Sequence, residues 1–347
     1  MRVLIAALVA LFAITASAKA ESSWKITKDH WDASDEIGFG KFIAGFGESI
    51  CSNPISCFRS EANPYRFTDP PELVLNGDCA DFIYQLRWYY AWKNGLPFSH
   101  ALAVTPRTGS TGDLRFNAKG NMVVARRILA WYEEFDAVQA MIALGDRVST
   151  ANFRVSPEFD RGFTASDFYS PKIDKASITA GTIIYDINGH VVYVYKVTPD
   201  GMIHYVDSNP DRAVTRGTFG RQVPRDSLDL ASGFHKFRPV KLVGYTRAPD
   251  GSLVGGTFVM ATNAEISDYS TEQYFGTQPN PTRDWKAAQF VINGQSLDFY
   301  RYVQTKLSNT SLAAATAAAK EELDRETKTA SATGSPADDN VKGKPFY

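Results

Sequence analysis

The chain has 347 residues, 44% of them hydrophobic and 22% charged, enough to bury one large core or two modest ones. Its formal charge of −1 makes no electrostatic case for nucleic acid or for a polybasic membrane contact. No group of Cys, His and acidic residues has metal-ligand spacing, and the pattern implies no cofactor.

Residues 1–20, "MRVLIAALVALFAITASAKA", read as a signal peptide. Arg2 is a short basic start, and Val3 to Ile14 form an apolar stretch too short to span a bilayer comfortably. Small residues in "ASA" and "AKA" permit cleavage after Ala18 or Ala20. Loss of Arg2 and Lys19 takes the formal charge from −1 to −3. The expected product is secreted or periplasmic, with no membrane contact after cleavage. The chain has three cysteines, an odd number. Cys51 and Cys57 lie in "CSNPISC", where Asn53 and Pro54 favour a turn, so an oxidising compartment lets them close a small loop. A bridge from either to Cys79 is the costlier closure. Cys79 is then left over, either buried and inert or reactive.

In chain order, residues 34–50 read as a short amphipathic helix. A Pro-rich loop, "PYRFTDPPELVLNGD", leads to Cys79. From there Phe82, Ile83, Leu86, Tyr89 and Tyr90 recur at the spacing of one helical face. Asp78 is a fair N-cap, which puts Cys79 in the first turn, and Gly95 with Pro97 stops the helix. "GSTGDLRFNAKGN" is a plain loop or a lid over a cleft. "NMVVARRILAWYEEFDAVQAMIALGD" predicts a second long helix, with Val124, Ile128, Leu129, Tyr132, Phe135, Val138 and Ile142 as its core positions. A helical insertion of about 98–175 results.

From about residue 180 the period becomes strand-like. "TIIYD", the turn residues Asn188-Gly189 and "HVVYVYKV" form a hairpin, its second strand apolar on both faces. "TPDG" turns the chain into "MIHYVD". "RPVKLVGYTRA" and "SLVGGTFVMAT" make another hairpin about "DG". Beyond 280 the pattern is helical, giving a C-terminal helical extension over 271–325, and 326–347 is a disordered tail by composition. Helices first and sheet later predict an α+β domain over 21–270.

A thiol attacks as thiolate. A helix N-terminus stabilises that anion and offers N–H groups to an oxyanion. A histidine must act as base, held by a third polar group. Of His30, His100, His190, His204 and His235, only His190 opens a central strand directly after a tight turn. Asp207 ends the next strand and Asn209 follows in "DSNPD". A two-residue loop at Pro199-Asp200 sets His190 opposite Asn209, with Asp207 on its face. A three-residue "PDG" loop slips the register by one and brings His204 to that face instead. Both remain open on sequence.

"GDCADF" resembles the Asp-Cys-Ser-Gly-Phe nucleophile motif of NlpC-type cell-wall peptidases. "AGTIIYDINGHVVYVYKVTPDGMIHYVDSNP" is similar to the second motif of the CHAP amidohydrolase/peptidase family. Ala80 and Asp81 stand in place of Ser-Gly, and Thr182 stands where both families usually place Asp. Both families belong to the papain-like superfamily. The resemblance implies a nucleophile helix on an antiparallel sheet, with Cys79 as nucleophile, His190 as base and then acid, Asp207 as the residue that orients it, and Asn209 as helper. It implies amide-bond cleavage on peptide or peptidoglycan-like substrates. "CADFIYQLRWYYAWKNGLPF" also resembles the helix of transglutaminase-like acyl transferases, though His190-Val191-Val192 lacks their aromatic after His. A third reading is a catalytically inactive binding or scaffold protein on the same fold.

Overall fold

Asp32 starts the first helix, α1 (Ala33–Glu48). Its carboxylate accepts from the N–H groups of Ser34 (2.7 Å) and Asp35 (3.0 Å), and Asp35 returns the contact to the Asp32 N–H, a reciprocal cap. The structure is a computed structural model that describes residues 22–109, 112–128 and 136–309. The expected signal peptide and C-terminal tail lie outside the described residues. The α1 helix buries Phe39, Phe42, Ile43 and Phe46. Cys51 and Cys57 are disulfide-bonded about α2 (Pro54–Arg59), which Asn53 caps. Cys79 is free.

Cys79 opens α3 (Cys79–Lys93), with Asp78 at the N-cap. Every residue from Cys79 to Trp92 is buried, so the helix is central rather than one-faced. Two of its polar groups reach out to other elements: Tyr84 donates to Asp167 at 2.6 Å, and Arg87 pairs with Glu36.

Of the helix expected over 121–146, the described residues form a helix only at 137–144 and a strand at 121–126. β1 (Ala101–Pro106) pairs antiparallel with β2 (Asn121–Arg126), and α4 (Ala137–Leu144) starts at an Asp136 cap. In β2, Val123 is buried and Val124 exposed, a period of two that wins locally over the helical one. Ile128 and Ile142 are exposed, while Val138 is buried. Leu129, Tyr132 and Phe135 lie outside the described residues. The described residues of 98–175 thus include a hairpin, the eight-residue α4, three-residue turns at Leu114–Phe116, Thr150–Asn152 and Gly162–Thr164, and the two-residue strand Phe168–Tyr169.

The main sheet follows: β3 (Phe168–Tyr169), β4 (Ile183–Asp186), β5 (His190–Val197), β6 (Ile203–Ser208), β7 (Val214–Thr218) and β8 (Gly233–Phe237). Its order is β3-β8-β4-β5-β6-β7, antiparallel throughout. The expected hairpin beyond it is β9 (Val240–Val243) on β12 (Thr257–Met260), with β10 (Thr246–Arg247) on β11 (Leu253–Val254) at its tip. The fold is mixed α and β with antiparallel sheets. Central β5 serves two cores. Val191 and Tyr193 join the core of α1 and α3, while Val192 and Val194 join a second core on the opposite face.

That second core is closed by the C-terminal region, which also departs from expectation. It holds α5 (Glu272–Phe275), a hairpin of β13 (Phe290–Ile292) and β14 (Gln295–Leu297), and then α6 (Phe299–Leu307). The hairpin turns at Asn293 (φ 51°) and Gly294 (φ 79°), the two left-handed residues a tight hairpin turn needs. Phe299, Tyr302, Val303 and Leu307 lay one face of α6 on the sheet. Residues 310–325 lie outside the described residues.

The β5–β6 register resolves the choice left open by the turn chemistry. Thr198 N–H donates to Met202 C=O at 2.9 Å, and Val197 faces Ile203, so the three-residue loop forms. Between Val194 and Lys196 the ladder then slips: Lys196 faces His204, but Tyr193 faces Val206. This bulge restores, at the far end, the register that a two-residue loop would have given.

Gly201 ties that loop to α6. It has φ 84°, and a Cβ there would lie 2.1 Å from the Gln304 carbonyl oxygen. At Gly294 a Cβ would meet nothing within 4 Å. Gly294→Ala is therefore expected to cost about 1 kcal/mol, the left-handed strain alone. Gly201→Ala should cost at least ~2 kcal/mol, because backbone must also move. Urea unfolding of both variants checks the inequality; equal losses would mean that α6 is not seated on the loop.

Candidate active site

The first turn of α3 and the start of β5 bring Cys79 and His190 together. Cys79 is 5% exposed at a helix start whose first N–H groups have no intrahelical acceptor. The His190 ring is held between two groups. Its Nε2 lies 2.6 Å from Asp207 Oδ2, and the ring also hydrogen-bonds the Cys79 thiol. With Nε2 engaged, Nδ1 is the nitrogen left for the sulfur. Burial pulls the His190 pKa down, but the Asp207 hydrogen bond and the Cys79 sulfur outweigh it and push it up to about 10. At neutral pH the imidazole is a cation flanked by carboxylate and sulfur.

Asp207 is itself fixed. Its residue is 2% exposed, and Oδ1 accepts from Thr215 Oγ1 at 2.6 Å. Thr215 stands directly opposite it on β7. Asn209 Nδ2 donates to the same Thr215 oxygen at 3.2 Å. Asn209 is thus one bond removed from Asp207, and its part is to hold the threonine. Ser208 donates to the Gly77 C=O at 2.7 Å, tying β6 to the segment that leads into Cys79.

The other histidines stay apart. His204 faces Lys196 and Thr218 at the turn end of the hairpin, with its ring beside Tyr195. The rings of His100 and His235 are buried against the carbonyls of Ala101 and Ala231, and burial pushes His235 down to about 4. His30 pairs with Asp29. Among the described residues no group of three or more Cys, His and acidic side chains is placed to hold a metal ion.

The loop "GSTGDLRFNAKGN" reaches the site. The Phe116 ring would lie 2.9 Å from a Cβ on Gly189, so it rests on the turn that launches His190. Residues 110–111 lie outside the described residues.

Three contributors went unread in the sequence: Thr215, Arg115 and Arg212. Thr215 could have been found by continuing the strand register past "NPDR". Arg212 offsets the anions beside Cys79. It occupies a left-handed position, φ 69°, in a turn where the Asn209 N–H donates to Ala213 C=O and the Arg212 N–H to Asn209 C=O, both at 2.8 Å. Such a position favours glycine or asparagine. Its guanidinium lies 3.6 Å from Asp78 Oδ2 and acts on Asp81 as well. Asp81 accepts from the Asp78 N–H at 3.3 Å. Burial, with the neighbouring Asp78, pushes the Asp81 pKa up to about 7.

The strained arginine predicts a trade. Arg212→Gly should raise the unfolding midpoint, since it removes about 1 kcal/mol of left-handed strain. It should also slow alkylation of Cys79 roughly two- to fivefold, as the Asp78 charge then acts unopposed. A variant that is both less stable and equally reactive would show Arg212 to be a mere turn residue. Asp81 predicts a pH effect. Below its unfolded value of 3.8 both states hold the proton. As pH rises to about 7 the unfolded chain ionises while the fold keeps the proton, so the native state loses stability across that window. Asp81→Asn keeps an acceptor for the Asp78 N–H, and should melt above wild type at pH 8, with the gap closing toward pH 4.

No known protein family, curated protein or solved structure matches this chain.

Proposed function

We propose that the chain is an exported, thiol-dependent amide-bond hydrolase of papain-like type, acting on peptide substrates such as those of the cell wall. The observation that carries the reading is the His190 ring held between the Asp207 carboxylate and the Cys79 sulfur at a helix N-terminus. Cys79 thiolate attacks the carbonyl carbon, and the first-turn N–H groups of α3 take the oxyanion. His190 gives its proton to the leaving nitrogen as the C–N bond breaks, leaving a thioester. It then takes a proton from the water that attacks the thioester, and the sulfur departs as thiolate, restoring the ion pair. Asp207, steadied by Thr215, keeps the ring in one tautomer and one orientation. The resemblance to CHAP and NlpC-type enzymes supports the substrate class. The apolar N-terminal segment and the Cys51–Cys57 disulfide support export, and no described helix is long and apolar enough to cross a membrane.

One observation favours the binding-protein reading: Cys79 is only 5% exposed. Alkylation separates the two. In the non-reduced protein at pH 7, iodoacetamide is expected to label Cys79, read by intact mass and peptide mapping. His190→Ala should slow labelling roughly tenfold or more, since an unassisted cysteine is only a few per cent thiolate there. Asp207→Ala should slow it less. Peptide release from purified cell wall, lost in Cys79→Ala, tests the substrate class. A Cys79 that resists labelling, or that labels equally in His190→Ala, overturns the enzyme reading.

A further inference from the structure

A pocket of about 480 Å3 lies between β1, the 113–115 turn and the segment 147–152. Two contacts place it on the nucleophile's side of the fold. Arg115, in its lining, is within electrostatic range of both Asp78 and Cys79. The segment that carries Arg147 begins at Gly145, where a Cβ would sit 3.5 Å from the Asp81 carboxylate.

Its chemistry is one-sided. Ala103 and Val104 form an apolar wall, and Asp113, Arg115, Arg147 and Asn152 form a polar one. Arg115 is held by Asp113 through Nε at 3.0 Å and Nη2 at 2.6 Å, which fixes its guanidinium and cancels one charge. Arg147 makes no side-chain hydrogen bond or ion pair among the described residues, so one positive charge is in excess. Asn152 is 3% exposed. Its Oδ1 accepts from the Ser149 N–H at 3.1 Å, but its Nδ2 is buried with no partner. An unmet buried donor is costly, and so marks a place built for an acceptor. A fixed guanidinium, an uncompensated one and a buried amide donor together match a carboxylate, and the apolar wall suits the methylenes that carry it.

We propose that this pocket is a substrate subsite for a carboxylate on a short aliphatic stem beside the amide that Cys79 attacks, so that preferred substrates are acidic peptides. The proposal rests on the nucleophile reading above and deepens it.

The test compares two reagents of nearly equal size on the full chain. In each, Cys79 sulfur displaces iodide and forms one S–C bond; iodoacetate carries a carboxylate and iodoacetamide does not. The iodoacetate-to-iodoacetamide rate ratio at Cys79 is expected to fall roughly fivefold in Arg147→Ala, the size of one charge at a few ångströms in a wet site. The Arg147 side chain is exposed, so this variant should fold. Asn152→Asp, which keeps the acceptor for Ser149, should lower the ratio as well, and so should added salt in wild type. N-acetylglutamate α-amide and N-acetylglutamine, each with one carboxylate, are then used as protectants. Protection by the first assigns an acidic side chain, and by the second a chain terminus. A ratio unchanged in both variants, with no protection, overturns the subsite while leaving the nucleophile intact. Inertness to both reagents overturns the nucleophile, and the subsite with it.

Discussion

Between Val194 and Lys196 the β5–β6 ladder slips by one residue, and the chemistry of the site hangs on that slip. Without it, the three-residue loop at Pro199–Gly201 would carry its register through to His190 and bring the wrong side chain to the imidazole. The bulge has a packing cause. A Cβ on Gly47 would lie 2.0 Å from Tyr195 Cγ, so the bulged tyrosine lies directly on the backbone of the last turn of α1. Arg216 of β7 clamps the same place, donating to the carbonyls of Phe46 (3.0 Å), Gly47 (2.8 Å) and Cys51 (3.2 Å). The Val214 N–H donates to Ser52 C=O at 2.8 Å. The disulfide loop, the end of α1, the bulge and β7 are therefore one mechanical unit. Its output is the position of Thr215, which sets Asp207, which sets His190.

Charge adds a second constraint. A helix N-terminus is worth about 0.3–1 kcal/mol to an anion, and up to ~2 kcal/mol when partly buried, yet two carboxylates flank this one. The fold answers with three devices. His190 is held as a cation. Asp81 is buried so that it sheds its charge near neutral pH. Arg212 is spent in a backbone conformation that arginine disfavours, beside Asp78. The first lies on the sheet, the second on the helix and the third in a turn, so the balance exists only in the assembled fold.

How much of this could be read beforehand depended on how local each cause was. The start of α3, the Cys51–Cys57 loop and the Asn188-Gly189 hairpin follow from short-range chemistry, and the sequence reading located them. Cys79 and His190 were picked out by the same logic, while the choice between Asp207 and His204 stayed open. The β5–β6 register did not follow from it, because its bulge answers to Gly47, about 150 residues away in the chain. The 121–146 segment misled for another reason. At 121–126 the apolar residues fit both periods and pairing with β1 chose the strand, while 137–144 kept the helix. Asn293-Gly294 carries the same dipeptide signal that marked the first hairpin, but the helical pattern about it hid the turn. Thr215 and Arg212 lie past a turn in a strand whose register depends on all the others.

One buried acid gathers the segment 98–175 and ties it to α3. Asp167 is 2% exposed and takes hydrogen bonds from Tyr84 of α3 (2.6 Å), Arg126 of β2 (2.5 Å) and the Ala101 N–H of β1 (3.0 Å). A carboxylate this deep is tolerated only when every lone pair has a donor and a cation is near. Each partner comes from a different element, so the hairpin cannot lift from α3 without breaking this set of bonds. The consequence reaches the site. The described part of the segment between β1 and β2 carries Arg115 and Phe116. Phe116 of that segment rests on the Gly189 turn, next to the residue that opens β5.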